Sequence, residues 1–185
     1  MEWILLGVVV LAALWLMVVY NRLVSLRQTV GQSWSDIEVQ LKQRHDLVPN
    51  LVETVKGYAS HERGTLEAVI QARNSAVQAH TPEASSAAEG QLSGALSRLF
   101  ALSEAYPDLK ANTNFTALQG ELSTIETKIA AARRFFNNAV AEFNASIQSI
   151  PAVFFAGSLG FRQANFFELE AAERAAVQAP PQVKF

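Results

Sequence analysis

The chain has no cysteine, which excludes a disulfide framework, a thiolate zinc site, an iron–sulfur cluster and a cysteine nucleophile together. Histidine is nearly as scarce, with three residues at 45, 61 and 80. Neither an H-E-x-x-H pair, a Gly-rich phosphate loop nor a G-x-S-x-G elbow occurs. The combinations that usually carry catalysis are missing, so no enzymatic activity, metal or organic cofactor is expected. Charge is sparse too: 15 Lys and Arg stand against 17 Asp and Glu, a net of -2. Such a chain has no basic field with which to hold a nucleic-acid backbone.

What it has is apolar surface, since half of its 185 residues are hydrophobic, enough for the core of one domain of ordinary size. From Trp3 to Tyr20 eighteen residues pass without a charge. As a helix they span roughly 27 Å, against a hydrocarbon core of about 30 Å. Trp3 and Tyr20 sit where interfacial aromatic belts place such rings. The only ionisable side chain ahead of the run is Glu2, so the charged start of a secretory signal is missing. Residues 1–22 are therefore expected to be an uncleaved transmembrane anchor. Positive charge follows the run at Arg22 and Arg27, which puts the N-terminus outside and the remaining chain in the cytoplasm.

Past the anchor, Val30, Trp34, Ile37, Leu41, Arg44, Val48, Leu51, Val55 and Tyr58 alternate in steps of three and four, the period of a helix burying one stripe. Nothing punctuates the chain between Tyr20 and Val30, so the transmembrane helix is expected to continue into this first long helix, to about Ala59. A second helix is expected over about 62–79, with Leu66, Val69, Ile70, Arg73 and Val77 on one face. A loop at 79–85 follows, because Pro82 cannot continue a helix. The third helix, about 86–105, presents Leu92, Leu96, Leu99, Phe100 and Leu102. Pro107 then breaks the chain, and Asn112, Thr113 and Asn114 are capping candidates. The fourth helix runs up to Pro151 with Phe115, Leu122, Ile125, Ile129, Phe136, Val140, Phe143, Ile147 and Ile150 in helical spacing. Long apolar stripes joined by short loops define an all-α protein, an antiparallel four-helix bundle over residues 23–167. Its last part, 151–167, is an aromatic, Gly-interrupted segment, and 168–185 reads as a flexible tail.

The stretches Tyr20-Asn21, Gln43-Arg44-His45-Asp46-Leu47-Val48-Pro49-Asn50-Leu51-Val52, Val55-Lys56-Gly57-Tyr58-Ala59, His61-Glu62, Ala72-Arg73, Tyr106-Pro107-Asp108-Leu109-Lys110-Ala111-Asn112, Arg133-Arg134 and Gly160-Phe161 resemble the LemA family of bacterial membrane proteins. The resemblance implies a single-pass anchor in the cytoplasmic (inner) membrane carrying a cytoplasmic helical domain, with no established biochemical activity. It also implies a genomic neighbourhood with membrane metalloproteases. At 136 and 143 the family often has Tyr, whereas this chain has Phe136 and Phe143.

Three features stand out for function. Arg44 takes a stripe position suited to an apolar group, and a buried guanidinium needs a carboxylate and full hydrogen bonding. Pro49, one turn on, removes the helical partner of the His45 carbonyl and is expected to kink the helix. Glu126 and Arg133, seven apart on the fourth helix, are the expected counterparts, so Arg44, Glu126 and Arg133 are expected to form a polar core cluster that fixes register between helices. Finally, Phe154, Phe155, Phe161, Phe166 and Phe167 are candidates for contact with lipid, with a neighbouring protomer or with the chain's own core. If successive helices rise and return, they end at the bilayer surface.

The expected function is a membrane-anchored scaffold or adaptor that self-assembles into a homo-oligomer. Its partners are the lipid bilayer and further copies of the chain. The alternative is a regulatory module for a heterologous membrane protein such as a membrane protease or sensor. A reporter fused after Phe185 should be active only in the cytoplasm; periplasmic activity, or a mature chain beginning after Ala13, would contradict this topology.

Overall fold

A computed structural model describes residues 1–167. Five α-helices follow one another among them: α1 (Glu2–Lys56), α2 (Arg63–Gln78), α3 (Pro82–Ser103), α4 (Pro107–Lys110) and α5 (Thr113–Gln148), then a 3-10 turn at Ala152–Phe154. No described residue lies in a strand, so the protein is all-α. The tail expected at 168–185 lies outside the described residues.

Local chemistry explains where the helices start and stop. The apolar run continues into polar sequence as one helix of 55 residues that passes through Pro49. It ends at Lys56, where the amides of Tyr58 and Ala59 both turn back to the Val55 carbonyl (3.0 and 2.9 Å). Helix α3 begins at Pro82, four residues before its expected start, because proline belongs at a first helical position: its φ is preset and its missing N–H would be unpaired there. Thr81 caps it, its hydroxyl accepting from the Ala84 amide at 3.3 Å. Pro107 opens α4 in the same way. At the start of α5, Asn112 Oδ1 accepts from the Phe115 amide at 3.0 Å, the capping role its position suggested. The α5 stripe closes at Ile147. Ile150, expected to extend it, lies beyond the helix and is 78% exposed.

The described chain divides into two compact units. One comprises residues 1–36 and 134–165. The apolar window of α1 in this unit is long enough to cross a membrane, and none of its residues is buried among the described residues. An uncovered apolar surface of that size is suited to hydrocarbon rather than water. Beyond it, Leu23, Phe143, Ile147, Ala152, Ala156 and Phe161 form a core, flanked by Val19, Val30, Phe155 and Ala164. The Trp34 ring lies 5.5 Å from that of Phe136.

Phe161 is the hub of this core. Its ring meets Tyr20 edge-on at 5.7 Å and Phe143 at 6.5 Å, and the Arg27 guanidinium sits 5.1 Å above it, a cation–π geometry. Two backbone devices deliver it. Gly160 turns the chain at a φ of 79°, a region open to glycine and costly for other residues. Asn144 on α5 then grips the following strand of chain, donating from Nδ2 to the Ala164 carbonyl and accepting at Oδ1 from the Ala164 amide, both at 2.9 Å. One side-chain amide thus satisfies both polar groups of a peptide position that no helix or sheet pairs.

The second unit holds Ile37–Arg133 and, of the remaining described residues, Phe166 and Phe167. Here α1, α2, α3, α4 and α5 contribute to a single core of Val48, Leu51, Val55, Leu66, Val69, Leu92, Leu96, Leu99, Leu109, Phe115 and Leu122, among others. Helices joined by short turns and sharing one core run antiparallel. Of the face expected on α2, Leu66 and Val69 are buried while Ile70 and Val77 are exposed; Ala76 fills the core position instead.

The five phenylalanines grouped from the sequence have different fates. Phe161 and Phe167 are core, Phe155 is half-buried, and Phe154 and Phe166 are exposed. Of the three environments open to them, Phe161 and Phe167 take the chain's own core. Replacing Phe161 by Ala should cost about 3–5 kcal/mol, as for other buried Phe. Phe154→Ala should stay within about 0.5 kcal/mol. Thermal melting of the two variants in detergent measures the difference; equal losses would contradict this division.

Candidate functional site: a buried ion-pair network

The charged residue placed in the α1 stripe is buried as expected, and its side chain retains 6% of its accessible area. Arg44 Nη1 donates to Glu89 Oε2 at 2.8 Å, and Nη2 donates to the hydroxyl of Ser93 at 2.8 Å. Glu89 and Ser93 are one turn apart on α3, so both lie on the face that meets the guanidinium. The second carboxylate oxygen, Oε1, is held by His45 Nε2. Adjacent residues of α1 thereby grip both oxygens of one carboxylate, whose side chain is 8% exposed. Arg44 Nη2 also reaches Glu126 Oε2 on α5 at 3.2 Å.

Of the cluster expected from the sequence, Arg44 and Glu126 are in contact, and Glu89, Ser93 and His45 join them. Glu126 is 54% exposed and forms the outer edge of the network. Its buried carboxylate is Glu89. Arg133 lies two turns further along α5, roughly 10 Å of rise, and is half-buried. His45 is part of the network through Glu89 Oε1. A signal for Glu89 was present: Ser85, Glu89, Leu92, Leu96 and Leu99 follow the same four-three alternation as the stripe carrying Arg44. Two opposite charges in two apolar stripes identify each other.

Pro49 has the consequence its chemistry requires. The His45 carbonyl, which an amide at position 49 would have paired, accepts instead from Arg73 Nε on α2 at 3.2 Å. Leaving such a carbonyl buried and unpaired costs about 1–3 kcal/mol. Proline on α1 thus frees an acceptor that Arg73 of α2 fills, and this docks α2 at the level of the ion pair.

A second set of polar contacts ties the turn regions of this unit. Asn112 Nδ2 donates to the Tyr58 hydroxyl at 2.8 Å, and the Tyr106 hydroxyl donates to Glu62 Oε1 at 3.3 Å. Loss of water around the Tyr106 phenol, and then the Glu62 carboxylate beside it, push its pKa above the ordinary value. Tyr58, Glu62, Tyr106 and Asn112 all belong to the short motifs quoted from the sequence; here they tie the turn after α1 to the turns around α4. His61 lies in the same turn.

Beside the network, α1, α2 and the start of α3 border an open cleft of about 360 Å³ lined by Glu38, Lys42, His45, Asp46, Arg73, His80 and apolar neighbours. Lys42 hydrogen-bonds Asp46 at 2.7 Å and holds its carboxyl below the ordinary value. Among the described residues no group of three or more His, Asp or Glu is placed to hold a metal ion. Chemically, the arrangement neutralises buried charge and fixes the register of three helices.

Fold and site together define an all-helical protein with one uncovered apolar helix and a helical domain organised around a buried Arg–Glu–His network. The chain belongs to the LemA family, whose sequence model matches residues 33–185, beginning beyond the apolar stretch. It is 24% identical over 174 residues to the magnetosome protein MamQ of Magnetospirillum gryphiswaldense, covering 80% of this chain and 64% of that one. To MamQ 1 of Paramagnetospirillum magneticum it is 25% identical over 175 residues with the same coverage. To Protein LemA of Metamycoplasma hominis it is 27% identical over 158 residues, 83% of this chain and 71% of the relative. The chain thus spans 64% of the length of the MamQ proteins that it matches.

Removing Glu89 strands Arg44 in the core, whereas removing Glu126 leaves Arg44 its Glu89 and Ser93 contacts. Glu89→Ala should cost about 3–5 kcal/mol and Glu126→Ala at most about 1 kcal/mol. Chemical denaturation followed by helix signal compares them. Equal effects, or a larger loss at Glu126, would contradict the placement of the buried charge.

Proposed function

We propose that the protein is a membrane-anchored helical scaffold that works by association, assembling with further copies of itself. One observation supports this reading above the others: the charged groups at the centre of the domain are spent on one another. Arg44 is taken up by Glu89, Ser93 and Glu126, and His45 by Glu89. A catalytic centre needs a group with spare hydrogen-bonding capacity aimed at a substrate, whereas this network spends its capacity on helix register. What it maintains is a shape. On α2, Ile70 and Val77 are exposed one heptad apart, and a face of that kind suits helix–helix contact between copies. Membrane association fits the uncovered apolar helix of this chain; anchoring in the bacterial inner membrane with the helical domain in the cytoplasm is the topology that Arg22 and Arg27 favour.

A second reading, a regulatory module for a heterologous membrane protein, is favoured by the cleft beside His45 and Arg73. A partner segment entering there would meet the His45 carbonyl of α1, whose pairing comes from Arg73 of α2. Gentle detergent extraction of the full chain followed by native mass measurement separates the two. A defined homo-oligomer that survives dilution is the expected result. A monomer bound to a different membrane protein supports the second reading, and a monomer alone contradicts the scaffold.

A further inference from the structure

We propose that residues 150–159 form an interfacial foot, with Ile150, Val153, Phe154 and Leu159 entering the headgroup–acyl boundary of the same bilayer that the apolar stretch of α1 crosses. The inference rests on the membrane part of the proposed function and adds a second point of lipid contact to it.

Height is the first argument. The segment after α5 does not extend freely; it packs beside the end of the charge-free run. Leu16, Met17 and Tyr20 of α1 line an apolar groove of about 370 Å³ together with Phe155, Ser158 and Leu159. Leu16 to Tyr20 is about 6 Å of helix, the last turn before the first charge. Whatever packs on that turn lies where hydrocarbon gives way to headgroups. The groove is continuous with the uncovered apolar surface of α1, and lipid that covers that surface also covers the groove.

Sidedness is the second. The segment is amphipathic although it is not a long helix. Ala152, Ala156 and Phe161 point into the core with Leu23 and Ile147, while Ile150 and Phe154 are each 78% exposed and Val153 and Leu159 about half so. Its own core is complete without the exposed set. Four large apolar side chains left outside a closed core at membrane height match the pattern of an interfacial element.

Charge is the third argument and is independent of packing. No acidic residue occurs in 3–35 or in 143–167, and the charges in those two stretches are Arg22, Arg27 and Arg162. Arginines that flank an apolar surface are complementary to anionic headgroups. Arg22 also borders a smaller cavity of about 170 Å³ with Ser146, Ser149, Ile150 and Pro151. Its mixed lining, a guanidinium and two hydroxyls over an apolar floor, suits a lipid phosphate above its glycerol.

Because the chain has no cysteine, a nitroxide at Phe154→Cys is a unique probe on the full-length protein in vesicles of phosphatidylglycerol and phosphatidylethanolamine. Val10→Cys serves as reference within the span and Thr124→Cys as reference on the helical domain. Accessibility to oxygen and to a nickel chelate, read by power saturation, reports the surroundings of each label. Position 154 is expected to favour oxygen over the chelate, as position 10 does, while position 124 shows the reverse. Chelate access at 154 with lipid around 10 overturns the foot and leaves the anchor standing. Shielding of 154 from both reagents also overturns it, because a second copy then covers the patch. Chelate access at 10 overturns the membrane reading itself and the foot with it.

Discussion

The helical domain depends on one buried carboxylate. Glu89 sits where α3 would otherwise present an apolar side chain, and its two oxygens are divided between Arg44 and His45 of α1. Apolar packing tolerates sliding by a turn, since one aliphatic stripe fits another in several registers. An ion pair does not: a displacement of one turn, about 5.4 Å, would leave both charges buried without partners at several kcal/mol. The carbonyl freed by Pro49 adds a second constraint of the same kind, because Arg73 must come from α2 to fill it. Three helices are thereby keyed at one level, and α5 joins through the more exposed Glu126.

The unit that holds the apolar end of α1 is keyed differently. It has a ring rather than a charge at its centre, Phe161, reached from Tyr20, Phe143 and Arg27. It also has a side-chain amide, Asn144, that does the work of a strand partner for the chain around Ala164. Phe136 and Phe143 suit this environment. Both rings are buried, and a ring without a hydroxyl needs no hydrogen-bond partner there.

Much of this was legible in the residues. Periodicity located the long helices, because stripes of 20 residues or more leave little ambiguity with strands, and the charge-free run announced the apolar helix. Capping at Asn112 was readable from residue type. Helix starts are harder: Pro82 reads as a breaker, yet its chemistry equally suits a first helical position. The network was half legible. Arg44 declares itself by interrupting a stripe, but helical spacing points equally to charges on α5 and to the interruption of another stripe at Glu89. Partner identity across helices is a tertiary property, which spacing along a single helix does not carry. Equally, the phenylalanines of 151–167 could not be sorted into core and surface by composition, since an irregular segment has no period from which sidedness follows.

The central claim, that the Arg44–Glu89 pair sets the register of the domain, is tested most directly by a double-mutant cycle with Arg44→Met and Glu89→Leu, read by equilibrium unfolding of the full chain. Each single change should be strongly destabilising because it buries an uncompensated charge, and the double variant should recover much of the loss. A coupling free energy above about 1.5 kcal/mol is the expected result, within the range for residues sharing one network. Strict additivity, with the double variant as unstable as the sum of the two singles, would contradict the claim.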